Sequence, residues 1–485
     1  MKMRPGAQTG FLLCGKEWVD GEAIEVRSPW DQGLLGKVTV ATRKDAREAV
    51  NHAVASMRRL RALPRWKRKE ILEDIAAALI EQKERFAQLI VAEAGKPIRT
   101  ARVEVERAIL TFKTAAEDVI RLGGESIPLD LTEGNEGRWG LVQRFARGPV
   151  LAITPFNFPL MLVAHKLAPA IACGCPVILK PAPQTPFTAL ALGEVVLKAG
   201  WPEEALAILP LANEDTAWLA EREDRLKLVS FTGSAAVGWT LKAKSGKKRV
   251  ALELGGNAAL IVHSDWAGGD DAVLDAAAMR TAHGAFGYAG QSCISVQRVY
   301  VHRPIFQSFL WKVVERANKM VCGDPANETT EVGPVIRPAD AERVEAWVKE
   351  AVEAGAKIVE SSAREGSVLA PTILTGTRPG MKVHDEEIFG PVVAIEPYDD
   401  FEEALAMVNH SRYGLQTGLY TRDAGRIMTA FRELEVGAVI VGDTPTWRLD
   451  PMPYGGVKDS GLGREGIRWA IEEMTEPRML VMAGV

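Results

Sequence analysis

The residue best suited to covalent chemistry is Cys293, which closes the segment Gly290-Gln291-Ser292-Cys293. Gly284 and Gly287 precede it and an apolar segment follows, which predicts a glycine-flanked loop between a helix and a strand. On such a loop a thiol can project into a cleft and, as a thiolate, act as a nucleophile. A single cysteine is more often a small buried core residue, so this interpretation depends on its surroundings.

Other polar and glycine residues come directly after predicted strands. They are Asn157 after residues 150–153, Lys180 after 176–179, Gly233-Ser234 after 226–231, and Glu253 at the end of 249–253. Each has an ordinary use as a turn residue, a solvated lysine, a helix cap or a salt-bridge partner. Because the carboxyl ends of parallel strands meet at one edge of a sheet, we expect these side chains to lie together.

A phosphate site is indicated only weakly. The GxGxxG fingerprint is absent, and the nearest segment is Gly233-Ser234-Ala235-Ala236-Val237-Gly238. It places a glycine and a hydroxyl at the start of a predicted helix, where free backbone N–H groups favour phosphate.

A regular alternation of strands and helices positions these loops. Residues 150–253 repeat a β-α-β pattern with continuous apolar strands. Such a pattern predicts an α/β protein with a parallel, doubly wound sheet covered by helices. A second alternating block, from 258 to about 443, predicts a second α/β domain.

The flanking segments have a different character. Helices are predicted at 46–59, 65–94 and 98–122. Residues 124–148 are short, alternating and rich in turn residues, which predicts a β-ribbon, and residues 478–482 form a final strand that could pair with it. A ribbon alone is marginally stable in water, so we expect it to pack on another subunit or domain.

Length and composition indicate a soluble protein of two or three domains. The 485 residues are too many for one ordinary core, and 47% hydrophobic with 25% charged residues is typical of globular chains. A net charge of −4 argues against a nucleic-acid-binding surface. No stretch approaches the roughly 18 apolar residues of a membrane span.

The cysteines and histidines argue against disulfides and metal sites. Five cysteines in a long chain indicate reduced thiols and a cytoplasmic protein. Cys173 and Cys175 do not form a CxxC pair and are expected in the core. The seven histidines form no HExxH and no close cluster, so no metal site is predicted. Residues 1–15 lack the apolar centre of a signal peptide.

Further motifs occur in a fixed order along the chain. They are Phe156-Asn157-Phe158-Pro159, Lys180-Pro181-Ala182, Phe231-Thr232-Gly233-Ser234, Glu253-Leu254-Gly255-Gly256, Gly290-Gln291-Ser292-Cys293, Glu387-Ile388-Phe389-Gly390-Pro391, and Pro453-Tyr454-Gly455-Gly456-Val457-Lys458 with Ser460-Gly461 and Gly463. Together they resemble the motifs of the aldehyde dehydrogenase superfamily, from about residue 15 to the end. The resemblance implies a Rossmann-type cofactor domain, a second α/β catalytic domain and a β-ribbon for oligomerisation.

The resemblance also implies a division of the chain. The expected parts are an NAD(P)-binding domain at 1–123 and 149–255, a catalytic domain at 256–446, an oligomerisation ribbon and tail at 124–148 and 470–485, and an active-site mouth at 447–469 that returns to the cofactor domain.

The resemblance assigns roles to three catalytic residues. Cys293 is expected to attack a small aldehyde and form a hemithioacetal. The side chain of Asn157 and the backbone N–H of Cys293 are expected to form the oxyanion hole. After hydride leaves for the nicotinamide, a thioester remains, and Glu253 is expected to activate the water that hydrolyses it.

The resemblance also implies a site for NAD or NADP. Lys180 is similar to the family's lysine at the adenosine ribose, Gly233 and Ser234 to its pyrophosphate contact, and Glu387 and Phe389 to the pair at the nicotinamide. Further residues expected at this site are Thr154, Pro155, Phe156, Ala182, Pro183, Phe231, Leu254 and Gly255.

One departure concerns the choice of cofactor. Many NAD-preferring members carry a glutamate three residues after the lysine, whereas this chain has Pro183. Without that carboxylate a 2′-phosphate is not repelled, so NADP use is plausible and Lys180 could pair with the phosphate.

The resemblance places residues 443–449, just before Pro453, beside the substrate. The residue types in this segment indicate a polar or anionic substrate. Arg448 would place a guanidinium near the aldehyde tail, where it suits a carboxylate or phosphate. His165 and Lys166 could add to this site, and Tyr454 is expected beside it. Alternatively, Arg448 pairs with Asp450 or another carboxylate. The resemblance is nearest to members acting on lactaldehyde, semialdehydes and phosphono- or phospho-aldehydes.

Other functions remain as alternatives. A semialdehyde dehydrogenase that transfers the acyl group to coenzyme A would share the fold, but Glu253 favours water as the acceptor. A non-catalytic relative would be expected to lack Cys293 or Glu253, and a cysteine-dependent hydrolase would not need the cofactor loops. The resemblance implies a homodimer or homotetramer that assembles through the ribbon and the tail.

Overall fold

The computed structural model describes residues 7–483, so the ends of the predicted domains at 1–6 and 484–485 lie outside the described residues. The strands are β1 Gln8–Thr9, β2 Phe11–Leu13, β3 Lys16–Trp18, β4 Ala23–Arg27, β5 Leu34–Thr39, β6 Gly124–Pro128, β7 Arg138–Ala146, β8 Val150–Ile153, β9 Val177–Lys180, β10 Leu206–Ile208, β11 Leu228–Thr232, β12 Arg249–Glu253, β13 Ala259–Val262, β14 Arg298–His302, β15 Lys357–Glu360, β16 Thr372–Thr375, β17 Val392–Tyr398, β18 Tyr413–Gly414, β19 Gln416–Tyr420, β20 Ala438–Val441, β21 Val457–Lys458, β22 Gly461–Leu462 and β23 Thr475–Ala483. The helices are α1 Arg43–Ala62, α2 Arg65–Glu81, α3 Lys83–Ala94, α4 Ile98–Arg121, α5 Met161–Cys173, α6 Pro186–Lys198, α7 Asn213–Arg222, α8 Ala235–Lys244, α9 Asp271–Phe286, α10 Arg303–Lys319, α11 Pro338–Glu353, α12 Lys382–Asp385, α13 Phe401–Asn409, α14 Ala424–Glu433 and α15 Ile467–Met474.

The first sheet confirms the predicted doubly wound fold. Its strands lie in the order β22-β12-β11-β8-β9-β10-β2-β3, and the neighbours from β12 to β10 are parallel. From β8 the chain runs outward through β9 and β10, then returns to the other side of β8 to form β11 and β12. Ligands bind where such a sheet changes direction.

The second sheet completes the α/β architecture. Its order is β15-β16-β17-β14-β13-β19-β20, and every neighbouring pair is parallel except β15 with β16. Cys293 comes just before β14, and Phe389 comes just before β17. The amino edge of this sheet therefore carries the residues that must meet the carboxyl edge of the first sheet.

The predicted ribbon forms a separate three-stranded sheet. β7 pairs with β6 and with β23, and the β23 register runs from Thr475 opposite Ala146 to Ala483 opposite Arg138. The predicted pairing of the final strand with the ribbon is therefore confirmed. Large apolar side chains remain exposed on this sheet, including Trp139 and Leu480.

The helices before the ribbon differ from the prediction at one point. The single helix predicted at 65–94 is wrong, because α2 and α3 are separated at Gln82, which has φ −104° and ψ 17°. Buried apolar residues continue at helical spacing on both sides of the break, and neither glycine nor proline marks it. The start of α1 is defined locally, because Thr42 and Asp45 form a capping box.

Candidate active site

A cavity of about 260 Å³ lies where the two sheet edges meet. The predicted catalytic residues Asn157, Glu253 and Cys293 all line it. Predicted cofactor residues in its wall are Pro155, Phe156, Gly233, Ser234, Leu254, Gly255, Glu387 and Phe389. The structure therefore brings loops from both sheets into one site.

The loop before Cys293 is shaped by consecutive left-handed residues. Tyr288, Ala289 and Gly290 have φ angles of 53°, 52° and 68°. A Cβ on Gly290 would lie 2.2 Å from the carbonyl oxygen of Gly390, so glycine is required at this close approach. The turn carries the chain from α9 to the cavity wall and leaves Cys293 half-buried there.

The thiol of Cys293 lies in a mostly apolar environment. It packs with Ile294, Leu415 and Tyr454, and its Sγ is 3.0 Å from the Tyr454 Oη. Burial raises the pKa of the Cys293 thiol to about 11. The thiol is therefore protonated at neutral pH, and groups that favour the thiolate control its reactivity.

Two hydrogen-bond donors meet near the thiol. The Asn157 amide donates one hydrogen to the carbonyl oxygen of Gln291 over 3.0 Å, which leaves its second hydrogen for another acceptor. In residues 7–483 the backbone N–H of Cys293 makes no hydrogen bond. Both groups can therefore donate to an oxyanion that forms beside the sulfur.

A buried carboxylate supports the loop that carries Asn157. Oε1 of Glu104, on α4, accepts the N–H groups of Leu160 and Met161 at the start of α5, over 2.9 and 3.1 Å. Lys96 forms a buried ion pair with Glu104. The first turn of α5 is thereby held against α4, and the preceding Asn157 loop is held with it.

Glu253 is a buried carboxylate at the end of β12. It lies opposite Thr232 of β11, and within the described chain its Oε2 has no hydrogen-bond partner. Burial and the neighbouring Glu465 raise the pKa of Glu253 well above its usual range. A carboxylate with a raised pKa is a stronger base, which suits proton transfer from water.

The start of α8 fits a phosphate. Ser234 is the N-cap residue, and its side chain makes no capping bond, so the first backbone N–H groups of the helix are open to a ligand. Phe231 packs beneath Gly233, where a Cβ would lie 2.6 Å from its ring. A Cβ on Gly238 would lie 2.4 Å from the Leu254 side chain, so this helix needs glycine to pack closely.

Glu387 and Phe389 complete a site that fits a dinucleotide. The Glu387 Oε1 accepts the N–H of Gly256 over 3.0 Å, and burial raises the pKa of Glu387 to about 7. A Cβ on Gly255 would lie 2.3 Å from its Oε2. Phe389 has φ 50°, and its ring packs edge-on against Phe156 with the centroids 5.9 Å apart.

The remaining predicted cofactor residues do not line this cavity. They are Thr154, Lys180, Ala182, Pro183 and Phe231, and they continue along the same edge of the first sheet. Lys180 is buried and donates to Asn213 Oδ1 over 3.3 Å, and burial lowers the pKa of Lys180 to about 8. Pro183 is exposed.

The predicted substrate residues separate into two groups. Arg448 and Tyr454 line the cavity, whereas His165 and Lys166 do not. His165 Nε2 lies 3.0 Å from Asp450 Oδ1, and Lys166 donates to Glu465 over 2.7 Å. Both side chains therefore lie behind the cavity wall.

Arg448 makes the predicted carboxylate contacts and still faces the cavity. Its Nη2 lies 3.3 Å from Glu465 Oε2, and its Nε lies 4.0 Å from Asp450 Oδ1. Its guanidinium carbon is 3.5 Å from the centroid of the Tyr454 ring. The two interpretations of Arg448 from the sequence are therefore compatible.

The sequence did not indicate Arg107, which also lines the cavity. Its Nη2 and Nε lie 2.7 and 3.2 Å from the two carboxylate oxygens of Asp450, which is 343 positions away in the chain. The only sequence signal is the position of Arg107 on α4. On the helix it neighbours the buried residues Glu104, Ala108 and Thr111.

Within residues 7–483, the remaining features that the sequence singled out are the other cysteines and the possible metal ligands. Cys173 and Cys175 are buried core residues, as predicted. Across residues 7–483 no three His, Cys, Asp or Glu side chains are grouped so that they could hold a metal ion. In the same part of the chain no helix is both long and apolar enough to cross a membrane.

The chain is similar to known proteins over nearly its whole length. A model described as "Aldehyde dehydrogenase family" matches residues 18–480. The chain is 44% identical over 476 residues to the 3-sulfolactaldehyde dehydrogenase of Priestia aryabhattai, covering 98% of each. Aldehyde dehydrogenase 21 from Physcomitrella patens, solved with the reaction product succinate, is 42% identical with a TM-score of 0.96 and 99% coverage of both chains. The glyceraldehyde-3-phosphate dehydrogenase GapN of Methanocaldococcus jannaschii, solved with NADP, is 36% identical with a TM-score of 0.91, and the match covers 96% of this chain and all of that one. Since the family match spans nearly the whole sequence, the chain belongs to the aldehyde dehydrogenase family.

Proposed function

We propose that this NAD(P)-dependent aldehyde dehydrogenase oxidises a small anionic aldehyde to the carboxylic acid, with Cys293 as the nucleophile. The observation that carries the proposal is one cavity lined by Cys293, Asn157 and Glu253 together with Arg107 and Arg448. The first three residues supply the chemistry, and the two arginines supply positive charge for the substrate.

The covalent step uses the groups around the sulfur. The Cys293 thiolate attacks the carbonyl carbon, and the carbonyl electron pair moves to oxygen. Asn157 and the Cys293 N–H donate to that oxyanion, and removing one such donor typically costs about 10²- to 10³-fold in rate. NAD or NADP, held at the start of α8 and by Glu387 and Phe389, would supply the hydride acceptor. Loss of hydride from the same carbon leaves a thioester on Cys293.

Hydrolysis of the thioester uses Glu253. Its carboxylate takes a proton from water, the resulting hydroxide attacks the acyl carbon, and the carbon–sulfur bond breaks to release the acid and the Cys293 thiolate. Glu253 lies in the cavity wall beside the cysteine, so a base is present where water must react. This arrangement favours water over coenzyme A as the acyl acceptor.

The charges around the arginines support an anionic substrate. Lys166 balances Glu465 at 2.7 Å, and Arg107 balances Asp450 at 2.7 Å. Although burial disfavours their charges, Lys166 lowers the pKa of Glu465 to about 2, and His165 with Arg107 holds the pKa of Asp450 well below its usual range. These two carboxylates face a third cation, because Arg448 adds its charge beside Glu465 at 3.3 Å. Arg107 and Arg448 therefore bring excess positive charge to the cavity wall, and in the described chain the buried Nε of Arg448 lacks a hydrogen-bond partner.

The relatives agree with this charge balance. The Priestia relative is named for 3-sulfolactaldehyde, which carries a sulfonate, and the Physcomitrella structure contains succinate, a dicarboxylate. An aldehyde with a carboxylate, sulfonate or phosphate two or three carbons from the carbonyl is therefore the proposed substrate class.

We expect Arg448→Met and Arg107→Met to lose selectivity for anionic aldehydes. The ratio of kcat/KM for succinic semialdehyde to that for butanal should fall at least about tenfold, because a hydrogen bond to a charged group contributes about 1.5–3 kcal/mol. Steady-state kinetics with both aldehydes measure the ratio. Arg303→Met is a matched control, because Arg303 pairs with Asp399 on the surface outside the cavity. An unchanged ratio in both cavity variants would contradict the anionic assignment.

We further propose that the adenosine end of the site accepts NADP. Pro183 is exposed and uncharged, and the buried Lys180 can pair with a 2′-phosphate. We expect Pro183→Glu to lower kcat/KM for NADP at least about tenfold relative to NAD, because the new carboxylate repels the phosphate. The glutamine in Pro183→Gln is similar in size to glutamate but carries no charge. This variant should therefore shift the ratio of kcat/KM for NADP to that for NAD much less. Equal shifts in the two variants would exclude charge as the cause.

The proposed function also assigns a role to each part of the chain. Residues 7–123 and 149–255 would hold the cofactor and 256–446 the nucleophile, with 447–469 forming the mouth.

The sheet of β6, β7 and β23 would join subunits of a homodimer or homotetramer, because Trp139, Leu480 and Val481 are 43%, 55% and 48% exposed on it. The free cysteines fit a reducing compartment such as the cytoplasm.

A further inference from the structure

Tyr454 makes a contact with the nucleophile that no step above uses. Its Oη lies 3.0 Å from the Cys293 Sγ, which is within hydrogen-bond distance for a sulfur acceptor. Tyr454 is 3% exposed, so the contact is shielded from solvent. A hydrogen bond to a charged atom is stronger in such an environment than in water.

The backbone fixes the position of this tyrosine. The N–H and carbonyl oxygen of Tyr454 both bond to Glu465, over 3.0 and 2.6 Å. The following Gly455 has φ 151°, and a Cβ there would lie 2.8 Å from Glu253 Oε1. The phenol of Tyr454 is therefore held between Cys293 and the Gly455 segment beside Glu253.

The surroundings keep the phenol protonated and polarise it. Burial raises the pKa of Tyr454 well above its usual range, so its hydroxyl remains a donor. The guanidinium carbon of Arg448 is 3.5 Å from the ring centroid. A cation over the ring face withdraws electron density from the phenol and makes its O–H a stronger donor.

The other charged groups near the sulfur act in both directions. Glu387 and Glu253 disfavour a negative charge on Cys293, whereas Arg448 favours it. Tyr454 is an uncharged group in direct contact with the thiol, and either atom of this pair can donate while the thiol is protonated.

We propose that Tyr454 is a catalytic residue that donates its phenolic hydrogen bond to the Cys293 thiolate, and that Arg448 strengthens this donor by stacking on its ring. When the thiol ionises, the S–H bond breaks, the electron pair stays on sulfur, and the proton passes to water in the cavity. The Tyr454 O–H bond stays intact and points at the sulfur. When the thioester breaks down, the same contact stabilises the departing thiolate.

The nucleophilic role of the thiolate rests on the proposed function, but the test contains neither aldehyde nor cofactor. Iodoacetamide reacts with the thiolate, so its rate at Cys293 reports ionisation directly. Peptide mass spectrometry follows alkylation of Cys293 across a pH series in wild type and Tyr454→Phe. Cys322 in the same sample is an internal reference, because it is exposed and lies outside the cavity. Tyr398→Phe removes a buried hydroxyl that touches no described hydrogen-bond partner and serves as the matched control.

We expect Tyr454→Phe to slow alkylation of Cys293 about tenfold at pH 8 and to move its pH profile upward by about one unit. Cys322 should react at the same rate in all three proteins, and Tyr398→Phe should match wild type at Cys293. A Cys293 rate and profile in Tyr454→Phe equal to wild type would overturn the proposal. If wild type turned over no aldehyde while Tyr454→Phe still showed the alkylation shift, the result would contradict the proposed function and not the role of Tyr454.

Discussion

Cys293→Ser should abolish aldehyde oxidation, with kcat lower by about 10⁴-fold or more. The serine hydroxyl is nearly isosteric, but at neutral pH its alkoxide is far scarcer than a thiolate and its ester would not match the thioester as an intermediate. The measurement is the absorbance of reduced nicotinamide during turnover of succinic semialdehyde. Cofactor binding should be unchanged, because the proposed cofactor contacts lie on other loops.

Cys322→Ser is the appropriate control for this experiment. Cys322 is an exposed thiol outside the cavity, so its loss should leave kcat within about twofold of wild type. If Cys293→Ser retained more than about one per cent of wild-type kcat, a covalent sulfur intermediate would be excluded as the main route.

Glu253→Gln should produce the second largest effect and a distinct kinetic signature. Loss of a general base typically lowers a rate by about 10²- to 10⁴-fold, and here the slowed step is hydrolysis of the thioester. We expect a rapid burst of reduced cofactor close to one equivalent per active site, followed by slow turnover. Stopped-flow absorbance measures both phases.

The pH dependence supplies a further check on Glu253. Burial and Glu465 raise its pKa, and only the deprotonated carboxylate accepts a proton, so the wild-type rate of hydrolysis should rise with pH through that raised pKa. The residual rate of Glu253→Gln should lack this rise. A variant with no burst, or with a wild-type pH profile, would show that Glu253 does not act after hydride transfer.

The central sheets could be predicted because their strands are buried on both faces. The segment predicted at 150–153 is β8, with the same bounds, and all of its residues are buried. Parallel strands covered by helices are continuous apolar runs with polar ends, and such runs are visible in a single sequence. The strands β1 and β3 were not predicted, because they are only two and three residues long and are partly or fully exposed.

Whether a site residue could be predicted depended on whether a local motif marks its position in the sequence. The cavity residues Asn157, Glu253 and Cys293 were predicted because each ends, follows or precedes a strand in a segment with a recognisable motif. His165 could not be oriented, since every residue of α5 is buried and the helix has no distinct polar face. Arg107 was missed because its partner Asp450 is brought to it only by the fold.

In the proposed mechanism, the thioester on Cys293 is the species that joins the nucleophile, the hydride transfer and the base. The most direct test mixes Glu253→Gln with NADP and succinic semialdehyde, quenches in acid within the burst, and analyses the protein by mass spectrometry. We expect a mass increase equal to one succinyl group, located on the peptide that contains Cys293 and absent from Cys293→Ser. Reduced cofactor formed in the burst without any acyl group on Cys293 would contradict the proposed mechanism.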